Sequence, residues 1–323
     1  MKIKLPDFWN MKPALAREMP TAQPADITED AEYAFFSEKV ESFGSLVAKR
    51  FFKHKLAVLG LAILLVMILM AVFAPVICKF SPEEIHLDAV QGGQPTAPNS
   101  TYWFGTDALG RDYFARVMYG MRVSLLVGFA STAISVLVGI PIGCIAGYYG
   151  GKVDWIISRA MELIGAVPSF FLMIFFSAIT GGGVLGTILV LGLTGWTGYV
   201  RGVRAYFFSL RDQDFAQAAK ATGMSKARLM FKHILPYALA PEIISATGSI
   251  AANLASETGM SFLGFGVQEP TPSWGAMLSV GRNYLLQAPW MAVIPGLGVA
   301  LVTFACNFIG DGLRDAFDPK TRK

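Results

Sequence analysis

Few residues of this 323-residue chain stand where their types and spacing could do chemistry. There is no GxxxxGK[ST] nucleotide loop, no HExxH zinc helix and no GxSxG nucleophile elbow. Serine, histidine and aspartate occur at no spacing that pairs a nucleophile with a base, so no catalytic residue is assigned and no ATP is expected on this chain. His86 lies near Glu83, Glu84 and Asp88. That spacing matches no ligand set, so a solvated loop is the reading and no metal is expected. Glu257 stands deep in an apolar run beside Asn253. An ionisable group there costs about 2.5–3.5 kcal/mol on insertion scales. Two readings stay open: a group lining or gating a path, or a carboxylate satisfied by hydrogen bonds between helices, with Asn253 one turn earlier. The remaining concentration of polar residues is an island, Asp214 to Pro236, between long apolar segments.

The elements that carry these residues are set by a composition that is 54% hydrophobic and only 15% charged. Soluble domains carry about a quarter charged residues, so the deficit points to lipid as the main solvent. A span needs roughly 20 apolar residues. Leu56 to Cys78 and Val123 to Gly151 qualify as uncharged runs. Leu163 to Val200 is too long for one span, and Gly181-Gly-Gly183 divides it into two helices joined by a tight outer turn. Ile243 to Gly266 and Met291 to Ile309 complete six crossings, which put both termini on one side. With that side cytoplasmic, 22 of the 27 Lys and Arg fall inside; only Lys79, Arg111, Arg116, Arg122 and Arg282 fall outside. The positive-inside rule therefore fixes the orientation.

The chain divides into a cytoplasmic tail (1–55), a first helix (56–78), an outer segment (79–121), a five-helix core (122–313) with an inner loop at 201–240, and a short cytoplasmic tail (314–323). The stretch from Met1 to Val40 is rich in Pro and acidic residues and reads as flexible or lying on the membrane surface. Cys78, Cys144 and Cys306 sit in or beside apolar runs and act as small apolar side chains. No basic block is interleaved with aromatics, which argues against nucleic acid.

Several further polar or small residues fall within or beside the spans. Glu162 reads as an interfacial polar group. Asn307 and Asp311 share a face near Arg314 and read as packing or capping residues. Gly128, Gly139, Gly143 and Gly147 permit close helix approach, either within the chain or at a seam with a second subunit. Arg111 and Asp112 in the outer segment are candidates for contact with an external partner, or for pairing with each other.

In the island, Asp214 is placed to cap a helix, with Gln217 three residues on as its capping-box partner. Phe215, Ala218, Ala219 and Thr222 fall on one face, where the small alanines admit another surface. Gly223 suits a left-handed end residue. Ser225 then caps a second helix, Lys226 to Leu235, which Pro236 helps to end. The predicted shape is a rigid elbow.

The pattern Gln217-Ala-Ala219, three residues, Gly223, nine residues, His233-x-Leu235-Pro236 resembles the EAA loop of ABC-importer permeases. The stretch Phe104-Gly-Thr-Asp-Ala-Leu-Gly-Arg-Asp112 with Arg122-Val-Ser-Leu125 is similar to the dipeptide and oligopeptide "C" permeases. So are Ser261-Phe-Leu-Gly-Phe-Gly266, Pro272-Ser-Trp-Gly275, Ala288-Pro-Trp290 and Gly310-Asp-Gly-Leu-Arg-Asp315 with Asp318-Pro319. The matches span about residues 45–320. Gln217 departs from the family's usual glutamate, keeping the length but losing the charge.

The resemblance implies an all-α integral membrane protein with the type I ABC-importer permease (MetI-like) fold in a bacterial or archaeal cytoplasmic membrane. It implies a transport subunit, not an enzyme. The partners it implies are a second homologous permease, two ATPase subunits that bind ATP and Mg, and an extracytoplasmic binding protein that delivers peptides. Asp214, Gln217, Ala218, Ala219, Gly223, Ser225, His233, Leu235 and Pro236 would then couple to the ATPases. Nickel or another metal chelate is the alternative cargo within the group. An ion-coupled secondary transporter using Glu257 is a reading from another class, although the chain lacks the internal repeat common there.

Overall fold

The computed structural model describes residues 43–90 and 94–318. Expectations placed on the two tails beyond these and on Gln91 to Gly93 lie outside them. From Leu46 onward the described residues form one body.

Helix α1 (Phe43–Lys53) runs into α2 (Lys55–Val72) through His54, whose Nδ1 accepts the Ala57 amide at 3.1 Å. The predicted first span is not one helix: Pro75 opens a separate turn, α3 (Ala74–Ile77). Proline lacks the amide that α2 would need to continue. Helix α4 (Tyr113–Tyr149) begins ten residues before the apolar run. Its 37 residues reach about 55 Å, well beyond a roughly 30 Å hydrocarbon core, so its polar first turns stand outside the membrane.

The amphipathic α5 (Gly151–Gly165) follows, then α6 (Ser169–Thr180). Glu162 lies exposed on α5, paired with Arg159. The glycine triplet does make the turn: Gly181, Gly182 and Gly183 have φ of +76°, +70° and +76°. The turn is pinned to the outer loop by the Gly183 amide on the Gly266 carbonyl at 3.2 Å. Helix α7 (Gly183–Leu210) returns, and α8 (Asp214–Ala221) lies in the island. A three-residue turn, α9 (Lys226–Arg228), leads through a π-helical segment (Leu229–Ile234) into α10 (Leu235–Phe262). The short α11 (Trp274–Gly281) precedes α12 (Trp290–Phe317).

Among the described residues, five helical stretches are long and apolar enough to cross a bilayer: α2, α4, α7, α9 through α10, and α12. A sixth crossing exists if α5 and α6, bent by 86°, form one broken span.

Helix α4 is the axis, packed on α7 and α10, while α2 packs on α12. The glycines explain the closeness. A Cβ on Gly139 would lie 2.6 Å from the Trp196 carbonyl, and one on Gly147 2.4 Å from Phe207 Cβ. Gly143 meets Val203 of α7 in the same way, and Gly128 faces Ile250 of α10. These glycines pack within the chain, the first of the two readings that their spacing allowed. The segment before α11 is also less external than its prolines suggest. Trp274 is 1% exposed, and its indole donates to the Val117 carbonyl at 3.2 Å.

Candidate functional site

The island folds as an elbow, but two of its predicted fastenings differ. Gln213, not Asp214, occupies the cap of α8, and its side chain makes no capping bond. Asp214 is the first helical residue, so the expected capping box with Gln217 does not form. A carboxylate in a first turn still complements the helix dipole. The other end is as expected. Gly223 has φ +76°, its amide donates to the Lys220 carbonyl at 3.0 Å, and Met224 donates to Ala219 at 3.2 Å. That pair of bonds satisfies two terminal carbonyls, as a left-handed glycine end should. Ser225 caps the next turn, accepting the Arg228 amide at 3.4 Å.

Pro236 does not end the second helix. The helix passes through it into α10, because the chain widens first. The Leu235 amide donates to the carbonyl of Met230, five residues back. A π turn shifts the preceding carbonyls and leaves room for a ring that an α-helical turn would exclude. Elbow and span are therefore one continuous element from Lys226 to Phe262.

The elbow has its own core. Ala216 at 0% exposure, Leu229, Met230 and Ile234 pack with Cys144 of α4, Val203 and Phe207 of α7, and Ala238 of α10. Ala219 and Met224 close its edge, and Leu235 joins it. His233 is half-buried, while Pro236 is exposed. Asp214, Phe215, Gln217, Ala218, Gly223 and Ser225 all remain exposed on the outside of this core. Ala216, which spacing did not single out, is the α8 residue that anchors the helix.

Cations fasten the base. Arg211 donates to the Gly147 carbonyl at 3.0 Å, and Lys220 donates to the Arg211 carbonyl at 3.1 Å. Arg204 makes a two-pronged pair with Asp154, its Nη2 to Oδ2 bond 2.7 Å long. Basic groups at helix C-termini oppose the negative dipole end. Their positions after apolar runs were a signal that the sequence offered.

On the outer side, Arg111 and Asp112 do not pair with each other. Arg111 meets Asp107 at 2.6 Å and Glu269 at 2.8 Å. Arg116 meets the same two acids, Asp107 at 3.5 Å. Burial alone would lower the Arg111 guanidinium, but Asp107 and Glu269 more than reverse this. Asp112 caps α4 by accepting the Ala115 amide at 3.1 Å. Both residues are buried, so their side chains are structural and not a free contact surface. Sequence reading missed this cluster because Glu269 is 158 residues from Arg111.

Glu257 is fully buried. Ser261 donates to it at 2.8 Å and Ser124 of α4 at 3.0 Å. Asn253 bonds Thr132 instead, at 2.9 Å. The carboxylate is satisfied by hydrogen bonds between helices, with partners other than Asn253. Glu242, which was overlooked at the edge of the span, is also buried, against Gly202 of α7. Near the inner end of α12, Asn307 and Asp311 are exposed, with Asp311 3.9 Å from Arg314. Among the described residues no group of three or more His, Cys, Asp or Glu could hold a metal. Cys144 and Cys306 are buried and Cys78 is half-buried, all as free thiols.

Comparison with known proteins gives these features a setting. Residues 139–323 match the model of the "binding-protein-dependent transport system inner membrane component" family. Residues 42–98 match the "N-terminal TM domain of oligopeptide transport permease C". The chain is 39% identical to a dipeptide transport system permease of Alkalihalophilus pseudofirmus, over 97% of this chain and all of that one. It is 37% identical to an oligopeptide transport system permease of Bacillus subtilis, over 85% of this chain and 88% of that one. A solved inward-facing MetNI methionine ABC transporter superposes with a TM-score of 0.52 at 18% identity, covering 64% of this chain and 98% of the other. That likeness speaks for the fold alone. By its family match and its relatives, the chain belongs to the inner membrane components of binding-protein-dependent transport systems, as a multi-pass ABC permease subunit that is not itself an enzyme.

Proposed function

We propose that this chain forms half of the translocation pathway of a peptide importer and takes its energy from ATPase subunits through residues 214–236. The observation that carries the reading is the elbow: an exposed face of Asp214, Phe215, Gln217 and Ala218, mounted through Ala216 on a private apolar core and continuous with a spanning helix. A push on α8 cannot be absorbed locally and must reach α4, α7 and α10. A bistable bundle biased at such a point switches which side of the membrane it opens to. The peptide cargo rests on the relatives, which transport dipeptides or oligopeptides by their names. A second permease, two ATP- and Mg-binding ATPases and a binding protein that delivers the peptide complete the assembly. Asp214, Gln217, Ala218, Ala219, Gly223, Ser225, His233, Leu235 and Pro236 form or support the coupling surface.

The test is a single cysteine at Ala218, with the three native cysteines replaced, in the assembled transporter. Cross-linking to the ATPase subunit, together with ATP-dependent uptake of a labelled dipeptide into proteoliposomes, supports the reading. Uptake that proceeds with no ATPase in contact with α8 rules it out.

A further inference from the structure

The span made by α5 and α6 is broken at membrane depth. On α7, Gly183 and Arg204 stand about 32 Å apart at 1.5 Å per residue, close to the roughly 30 Å of the hydrocarbon core. The glycine turn is therefore at the outer face of the core. Arg204, with its partner Asp154 at the start of α5, is at the inner face. Helix α6 descends from the turn for only 12 residues, about 18 Å, and any tilt shortens its reach. It stops roughly 12 Å short of the inner face. The chain from Asp154 to Pro168 covers that depth, with α5 bent by 86° from α6.

Lipid does not accept what this stretch exposes. Helical bonding from α5 ends with the Ala166 amide on the Glu162 carbonyl and resumes with the Phe171 amide on the Pro168 carbonyl at 3.0 Å. The Ile164 carbonyl would need the amide of residue 168, a proline that has none. Ala166, Val167 and Pro168 are exposed, and a Cβ on Gly165 would meet nothing within 4 Å. Irregular backbone at this depth occurs only inside protein or against a water-filled cavity. The side chains repeat the point. Trp155, Arg159, Glu162 and Ala166 recur at intervals of four, three and four, so they share one face of α5. Arg159 pairs with Glu162 on that face, and their side chains are 55% and 60% exposed. Arg159 also lies over the Trp155 ring, 5.8 Å from its centroid. A protein surface pressed onto the pair would strip water from both charges, a cost that their attraction seldom repays. Water serves both the pair and the free carbonyl.

We propose that this face of α5 and the break from Ala166 to Pro168 line the inner, water-filled section of the translocation path. The inference rests on the reading of the chain as half of that path. Arg159 and Glu162 neutralise each other. A peptide with charged termini then meets hydrated groups of both signs and no net charge to hold it.

The experiment labels single cysteines in the assembled transporter in nanodiscs, with the three native cysteines replaced. The probe is a charged, membrane-impermeant methanethiosulfonate, applied in the nucleotide-free and ATP-trapped states. The control is Leu65→Cys, on the exposed side of the apolar helix α2. Ala166→Cys and Val167→Cys should react in at least one state, roughly tenfold faster than the control, because the reactive thiolate forms where water reaches it. Labelling Ala166→Cys before reconstitution into proteoliposomes should block dipeptide uptake, and labelling the control should not. Rates at both positions no faster than the control in either state would overturn the assignment. So would cross-linking of Ala166→Cys to the second permease by a short bifunctional reagent, which would make this face a seam. In either case, ATP-driven uptake by the unlabelled variants leaves the coupling reading intact. Absence of ATP-driven uptake by wild type strikes that reading instead.

Discussion

Gly223 offers a perturbation whose size can be worked out in advance. Its φ is +76°, and a Cβ built on it meets nothing within 4 Å. A substitution there creates no clash, removes no contact and leaves the bonds from Gly223 to Lys220 and from Met224 to Ala219 available. The whole cost is backbone strain in the left-handed region. That is about 1–2 kcal/mol for alanine, less for asparagine, and more for β-branched valine. Each 1.4 kcal/mol is about a tenfold change in an equilibrium. The bent elbow should thus lose roughly 5- to 30-fold in population in the alanine variant. The bundle as a whole, held by the α4–α7 and α4–α10 contacts, stays folded.

The assay is dipeptide-stimulated ATPase activity and uptake by the reconstituted transporter, with the amount of assembled complex measured alongside. Activity should fall in the order Gly, Asn, Ala, Val while assembly stays constant. Wild-type uptake by Gly223→Val would refute the argument that the bend transmits the push.

Gly147→Ala should destabilise the bundle by about 1–3 kcal/mol, because the new Cβ lies 2.4 Å from Phe207 Cβ. Gly165→Ala, with nothing within 4 Å, is the control; equal melting temperatures for the two would remove the close-packing account. Asp107→Ala should cost about 3 kcal/mol, since it leaves the buried Arg111 and Arg116 to share Glu269 alone. Faster proteolysis of the outer segment would report the loss, and unchanged protection would count against it. Glu257→Gln should cost about 1 kcal/mol and leave uptake near wild type, because Ser124 and Ser261 can rotate to serve an amide. Abolished uptake in a fully assembled Glu257→Gln complex would show that the charge itself is required.

Much of the architecture was legible in the residues because the bilayer allows few solutions. A run such as Leu56 to Val72 has to be helical, since lipid offers no partner for backbone amides. The bias of Lys and Arg then sets direction. Gly181 to Gly183 and Gly223 were legible for a different reason: only glycine takes positive φ without penalty. In the elbow, the left-handed turn and the Ser225 cap followed from local sequence. The cap of α8 did not, because Gln213 and Asp214 compete for it within one residue and local preference does not separate them.

What the tertiary structure alone decided are the pairings of groups distant in sequence. Nothing near Arg111 announces Glu269, nothing near Glu257 announces Ser124, and nothing near Gly147 announces Phe207. Pro236 shows the same limit within one helix. A proline read locally ends a helix, but packing of Leu229, Met230 and Ile234 against α4 and α7 favours keeping the helix and widening one turn. Local sequence was enough to show that the chain spans the membrane and that it turns at Gly181 to Gly183 and at Gly223. Which side chains those bends bring together was settled by packing, because burial energy depends on neighbours that linear spacing does not name.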